Sequence, residues 1–274
     1  MKKQIFLSFA LTLLSFTINA QYYHYYGDTV RLALPVYNGN LQWQQTSDTT
    51  AVWVDIPGAT YQPYEIAVAS SNYYRARVIN GSCNPVFSQV KAVRLYNVQQ
   101  RLDHGETPKH IFDTGIPTDS LYGKTYQGGL IFYLNTINGN GLVAAPFDQS
   151  TGAEWGCHGT AISGADGTVI GTGAQNTLDI EASCATVGSA ADICANLILG
   201  AYSDWFLPSR DELHEMYNNL KVKGFGGFSN NYYWSSSECA TYELNDAWLQ
   251  NFQYGNQYNY VKYNPTYVRA VRAF

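Results

Sequence analysis

Charge is scarce in this chain. Asp, Glu, Lys and Arg together make up 14% of its 274 residues, the net charge is -5, and no cluster of Lys or Arg stands out. Without a basic patch a phosphate backbone has nothing to grip, so nucleic acid is excluded as a partner class. Cysteine is sparse and odd in number: Cys83, Cys157, Cys184, Cys194 and Cys239. None of the five stands in C-x-x-C or Cys/His spacing, so no metal site is expected. The Gly-rich stretch "TGAEWGCHGTAISGADGTVIGTGAQNT" lacks both a G-K-[ST] signature and a strand–GxGxxG–helix context. It reads as a structural loop, and no cofactor is expected. Past residue 20 no run is long and apolar enough to cross a bilayer, so an integral membrane protein is not expected. No Ser/His/Asp or Cys/His set can be assembled from sequence, so the chain is not expected to be an enzyme.

The first twenty residues, "MKKQIFLSFALTLLSFTINA", carry a basic start at Lys2 and Lys3, an apolar stretch and a small-residue end. That order is a secretory signal peptide over 1–20. Its apolar part is short for a span, and no Cys lies near the cleavage point to take a lipid. The mature chain is therefore expected to be soluble, and either secreted or held at the outer cell surface. Export permits disulfides, while five cysteines leave at least one thiol over. Cys184 and Cys194 bracket the turn-like "ATVGSAADI" and form the expected pair.

Aromatic residues are the abundant class, with 23 Tyr, 12 Phe and 6 Trp. Residues 21–96 read as strands. "DTVRLALPV" alternates, "NLQWQQ" turns Trp43 inward, and "YYRARVINGSCNPVFSQVKAVRLY" is two strands around an Asn80-Gly81 turn. An early-strand Trp and the pair Tyr73-Tyr74 opening a late strand resemble an immunoglobulin (Ig)-like β-sandwich without its inter-sheet Cys pair. Residues 97–120 show no sustained period and read as a linker. Beyond them "YGKTYQGGLIFYLN" reads as a hairpin turning at Gly128-Gly129, and "GLVAAP" as a buried strand. "AADICANLIL" and "PSRDELHEMYNNL" read as helices. The second carries a Ser209/Glu212 capping box and an apolar face at Leu213, Met216, Tyr217 and Leu220, with His214 off that face. "YYWSSS", "DAWLQNF" and "VRAVRAF" read as short strands with Trp234, Trp248 and Phe252 as core. Arg269 and Arg272 then need charge partners or water.

The runs "GKTYQGGLIFYLN", "GLVAAPFDQSTGAEWGCHGT", "GTGAQNT", "YSDWFLPSRDELHEMYNNL", "YYWSSSE", "AW" and "VRAVRAF" resemble the Lcl C-terminal domain family over about residues 121–274. The resemblance implies a C-type-lectin-like fold related to formylglycine-generating enzymes. The expected architecture is thus an all-β Ig-like sandwich followed by an α+β C-type-lectin-like domain with a small antiparallel sheet, two helices and much irregular loop. Within it, residues 239–267 resemble the variable region of proteins diversified by retroelements. There, adenine-directed mutation of Asn codons yields Tyr, Asp, His, Ser and Thr around a fixed frame. The frame here would include Ala247, Trp248, Gln250, Phe252, Gly255, Gln257 and Lys262, whereas Glu243 and Gln253 depart from the pattern.

Tyr and Asn supply 15 of the 39 residues from Asn230 to Val268, too many amides for a buried segment to satisfy. The expected ligand-binding set is Tyr242, Leu244, Asn245, Asp246, Leu249, Asn251, Tyr254, Asn256, Tyr258, Asn259, Tyr260, Tyr263, Asn264, Thr266 and Tyr267. Tyr gives broad, stiff contact area and Asn adaptable hydrogen bonds, the chemistry of a recognition surface. The expected partner is a protein or glycan on a cell or phage surface. A fixed-specificity carbohydrate adhesin is the alternative. The family resemblance implies glycosaminoglycan binding, yet Lys262 is the main cation expected on this face, which disfavours sulfated sugars. No Glu-Pro-Asn or Gln-Pro-Asp motif points to calcium-dependent sugar binding. An oxidase resembling the formylglycine-generating enzymes would need a Cys pair, for which Cys157 and Cys239 are the candidates.

Overall fold

A computed structural model describes residues 23–239 and 245–274, in two units that divide between Tyr96 and Asn97. The first unit is all strand. β1 (Tyr23–His24), β2 (Thr29–Leu32), β3 (Asn40–Thr46), β4 (Val54–Asp55), β5 (Tyr64–Ala67), β6 (Asn72–Ile79), β7 (Val86–Phe87) and β8 (Lys91–Leu95) follow in order. A larger sheet runs β1-β8-β6-β3-β4 with β7 also on β6, and β2 pairs β5 in a second sheet. Val30 and Leu32 from β2 meet Leu41 and Trp43 from β3 and Tyr74 and Ala76 from β6 in one buried cluster. Alternation along β2 and β3 dictates this, because every second side chain points to the same face. Trp43 is buried as expected and donates its indole N–H to the Tyr61 carbonyl. Its neighbour Gln44 is buried as well, held by Asp55 and Arg75.

Residues 97–120, expected to be a linker, fold as part of the second unit. They form α1 (Val98–Asp103), capped reciprocally by Asn97 and Gln100, and α2 (Pro108–Asp113), with Thr107 as N-cap and Pro at its first turn. These helices are too short for a legible apolar period, which is why the stretch looks structureless in sequence. Then come β9 (Thr125–Tyr126), β10 (Gly129–Leu134), β11 (Gly141–Ala144), β12 (Ser150–Ala153), α3 (Gly173–Ser183), α4 (Ala190–Ala195) and α5 (Arg210–Met216), which runs on into a π-helical turn, Tyr217–Lys221. β13 (Tyr232–Glu238), β14 (Asp246–Asn251), β15 (Gln257–Val261), β16 (Thr266–Val268) and β17 (Val271–Ala273) close the chain.

The single small antiparallel sheet expected here is two sheets. One runs β17-β11-β10-β9 and the other β12-β16-β13-β14-β15, with a parallel pairing of β13 and β16 at Tyr233 and Tyr267. "VRAVRAF" is what joins them. Val268 pairs Ser150 in one sheet, and Val271–Ala273 pair Ala144–Leu142 in the other. The crossing is pinned by Arg269, which is buried, bonds Asp148 and the carbonyls of Ala145 and Gly226, and lies over the Phe228 ring. Arg272 pairs with Asp204. The β9–β10 turn sits one residue earlier than expected, at Gln127-Gly128, where both φ angles are positive (44° and 87°) as a two-residue hairpin turn demands.

Three helices of this unit replace the two expected after residue 121. α4 and α5 lie where "AADICANLIL" and "PSRDELHEMYNNL" place them, and Leu213, Met216 and Leu220 are buried. α3 was hidden in the Gly-rich stretch. Its inward face sets polar groups beside the buried Ile180: Asn176 bonds the Gly167 carbonyl and Ser236 Oγ, and Thr177 bonds Gly173 and Leu207. A helix whose buried face carries Gly, an amide and a hydroxyl before a single Ile shows no hydrophobic period.

The expected Cys184–Cys194 disulfide does not form. Cys184, at the C-terminal cap of α3, bonds Cys157, with Cα atoms 5.6 Å apart. α4 turns Cys194 into the core, and burial pushes its thiol far above the ordinary value. Cys83 is exposed, while Cys194 and Cys239 are buried. Iodoacetamide should therefore label Cys83 in the native protein and reach Cys194 and Cys239 after denaturation, which peptide mapping would check; labelling of Cys194 in native protein would contradict this packing. Among the described residues no helix is long and apolar enough to cross a membrane.

Candidate binding surface

The surface is built on the antiparallel trio β13, β14 and β15. Trp234, Leu249 and Tyr258 stand in one cross-strand row, and Ala247 faces Tyr260 in the next. Because side chains alternate, Gln250, Trp248, Gln257 and Asn259 point to the opposite face. At Trp248, Gln250 and Gln257 that face rests on α5, while Asn259 is exposed. The Arg210 guanidinium lies 5.2 Å from the Trp248 ring centroid, His214 Nδ1 is 3.0 Å from Gln250 Nε2, and Gln257 donates to the Arg210 carbonyl. His214, which lies off the apolar face of its helix, is thus still a packing partner, and Trp248, expected in the core, is half-buried under Arg210.

α5 is fixed at its start by a reciprocal capping box: Ser209 Oγ accepts from Glu212 N–H, and Glu212 Oε2 accepts from Ser209 N–H. Glu212 is wholly buried and also accepts from Gly171 N–H. Desolvation raises its carboxyl above the usual range, opposed by these N–H donors. α3 is drawn against α5 through this one carboxylate, since a Cβ on Gly173 would fall 2.2 Å from Glu212 Oε2.

The β14–β15 turn is made by Asn251. Its side chain accepts from Gln253 and Tyr254 N–H, and its backbone pairs with Asn256 and Gly255. Gly255 has φ +85°, and a Cβ there would meet the Tyr217 ring at 2.6 Å. At the other end Lys262 is wholly buried. Its ammonium pairs with Glu238, donates to the Thr160 carbonyl at 2.8 Å, and lies 4.6 Å from the Trp155 ring centroid. Glu238 also accepts from Ile162 N–H. Lys262, expected to be the cation on the display face, is therefore a structural clamp that ties the loop 157–162 to the sheet.

Several expected contact residues point inward. Leu249 (2% exposed) lies beneath the tyrosines, Asn251 (7%) makes the turn, and Thr266 (7%) pairs with Ala153 of β12. Tyr267 is half-buried with its ring 5.3 Å from that of Tyr233. Their type fits a recognition surface, but strand parity and turn chemistry assign them elsewhere. Asn245, Asp246 and Asn264 are half-buried, and Asp246 accepts from the Asn259 amide. Tyr242 and Leu244 fall outside the described residues.

The rest of the set is exposed: Tyr254 (70%), Tyr258 (45%), Tyr260 (45%), Tyr263 (52%), and Asn256 and Asn259. Tyr258, Asn259 and Tyr260 line a cleft of about 250 Å³ together with Leu249 and Tyr232. Tyr232 was missed because it precedes the expected variable segment, although it shares strand parity with Trp234. His158 was missed too. Its ring meets that of Tyr263 edge-on at 4.9 Å, a contact between distant parts of the chain that no local pattern signals. Cys157 is consumed in the disulfide and Cys239 is buried, so the oxidase pair is not assembled.

This arrangement can be set beside known proteins. Residues 146–272 match the family model of the Lcl C-terminal domain. The match covers β12, α3 to α5, β13 to β16 and the buried clamp, and takes in every exposed tyrosine of the surface. Residues 16–97 match a domain of unknown function, DUF8696. No curated protein matches the chain.

Proposed function

We propose that this is an exported ligand-binding protein of adhesin type, whose Lcl-like domain has a C-type-lectin-like fold and presents a diversified Tyr/Asn surface to a protein or glycan on a cell or phage. The reading rests on one contrast. Tyr254, Tyr258, Tyr260 and Tyr263 are 45% to 70% exposed, whereas Gln250, Phe252 and Lys262 in the same segment are wholly buried. A surface free to vary above a frame that cannot is what diversification by a retroelement requires. The Cys157–Cys184 bond supports an oxidising, extracytoplasmic location. The first unit serves in this reading as an Ig-like spacer or docking module.

The test is an array of glycans and bacterial surface proteins probed with the purified protein. Replacing Tyr254, Tyr258, Tyr260 and Tyr263 together by Ala should abolish binding, and the anchoring Tyr among them should alone cost about 2 kcal/mol or more. Binding untouched by the fourfold variant would discard this face. The diversification claim has its own test at the DNA level: a near-repeat of the coding segment for 239–267, differing at adenines and lying beside a reverse transcriptase gene. Absence of both removes that claim and leaves a fixed-specificity carbohydrate adhesin. That second reading is favoured by the uncharged, Tyr-lined cleft, which suits stacking of a neutral sugar.

A further inference from the structure

Two sheet edges in this unit are closed by side chain or backbone. The outer edge of β9 is capped by the Gln99 side-chain amide, which donates to the Thr125 carbonyl and accepts from the Thr125 N–H, both at 2.9 Å. The outer edge of β17 is closed by Phe206, whose N–H and C=O both bond Val271. Proteins cover such edges because unpaired N–H and C=O groups recruit another strand. β15 is the last strand of its sheet, and among the described residues no further strand pairs with it.

The phase of its ladder is fixed. Lys262 N–H bonds the Asn245 carbonyl and Asn251 N–H bonds the Asn256 carbonyl, so Tyr258 and Tyr260 spend their backbone groups on β14. The alternate residues, Gln257, Asn259 and Val261, then direct theirs outward. The Val261 carbonyl is taken by Asn264 N–H, whereas among the described residues nothing bonds the outward N–H and C=O of Asn259. Tyr258, Asn259 and Tyr260 are exposed in succession. On a strand, three in a row means that both faces and the edge are open. Beside this edge lies the cleft of Tyr232, Tyr258 and Tyr260 over Leu249, smaller than the roughly 300–1,000 Å³ of a small-molecule pocket and sized for a side chain.

We propose that β15 takes an extended polypeptide segment of the ligand as an added strand, paired through the outward N–H and C=O of Asn259, with one apolar or aromatic side chain of that segment seated in the Tyr232/Tyr258/Tyr260 cleft. This rests on the binding reading above and narrows its partner to a protein with an exposed, uncharged extended segment. Backbone pairing supplies affinity that does not depend on the ligand's sequence, and the tyrosines supply choice.

The probe is a display library of random linear peptides selected on the purified protein. Asn259→Pro deletes the outward donor and leaves the β14 ladder intact, because that N–H is not part of it. Selected peptides should lose roughly tenfold or more in affinity for Asn259→Pro. N-methylation of alternate peptide bonds should abolish binding in one parity and spare it in the other. In the wild-type protein the Asn259 amide should exchange fast when free and slow at least tenfold on adding peptide, a reading that needs no variant to fold. No enriched peptide, or peptides indifferent to Asn259→Pro and to N-methyl parity, overturns strand addition. A dimer in sedimentation that Asn259→Pro dissolves would show a second copy as the occupant and also overturns it. If array ligands are lost in the fourfold Tyr variant yet kept in Asn259→Pro, the binding face stands and strand addition falls.

Discussion

Lys262→Ala should destabilise the second unit by about 3–5 kcal/mol, more than the loss of any single exposed tyrosine. The substitution leaves the Glu238 carboxylate, whose side chain is 8% exposed, facing a site built for an ammonium. It also frees the Thr160 carbonyl and opens a gap against Trp155. For a unit of this size each kcal/mol moves Tm by roughly 2–4 °C, so a fall of about 10 °C is expected. Glu238→Gln alone should cost a comparable amount, by stranding the ammonium instead. The double variant Lys262→Met/Glu238→Gln should recover most of either loss, since a buried pair gains little over an apolar substitute while a broken one costs much. Additive losses in that cycle, measured by denaturant unfolding, would show that the two charges are not coupled. The clamp also has a functional consequence. It holds the loop 157–162, and with it His158 against Tyr263, so Lys262→Ala should weaken any ligand that touches Tyr263 without removing a contact residue.

How much of this was legible beforehand depends on whether local chemistry or tertiary contact decides. α5 could be read because its capping box and its Leu213, Met216 and Leu220 stripe are both written within thirteen residues. β2, β3 and β11 could be read from alternation or continuous apolar character. α3 could not, since its buried face is Gly173, Asn176 and Thr177 with Ile180 alone as a large apolar side chain, and its partners lie on β13 and before α5. At the surface, exposure of Tyr254, Tyr258, Tyr260 and Tyr263 followed from the impossibility of burying so many Tyr and Asn. Leu249, Asn251 and Thr266 were misplaced because residue type says nothing about which face a strand turns inward. Lys262 was misplaced for the opposite reason: a lone Lys among Tyr and Asn reads as solvated, and its carboxylate partner lies 24 residues away across a segment that gives no period.

Removing the Cys157–Cys184 bond, by Ser at both positions, should cost about 3.5 kcal/mol. The bond spans a sequence separation of 27, and closing a loop of that length in the unfolded chain carries roughly this entropy. The bridge fastens the end of α3 to the turn that carries His158, where Gly156 and Cys157 both have positive φ and a Cβ on Gly156 would press on the Cys184 sulfur. Wild-type protein in dithiothreitol should unfold at the same midpoint as the double-Ser variant, and the reductant should leave that variant unchanged. Cys194→Ala should keep the full response to reductant, because Cys194 lies buried in the core and takes no part. A Cys194→Ala protein that has lost its reductant sensitivity, or a Cys184–Cys194 cross-linked peptide in a non-reducing digest, would overturn the pairing. With the pairing as it stands, reduction should also release His158 from Tyr263, so that ligand affinity and Tm fall together under one titration of reductant.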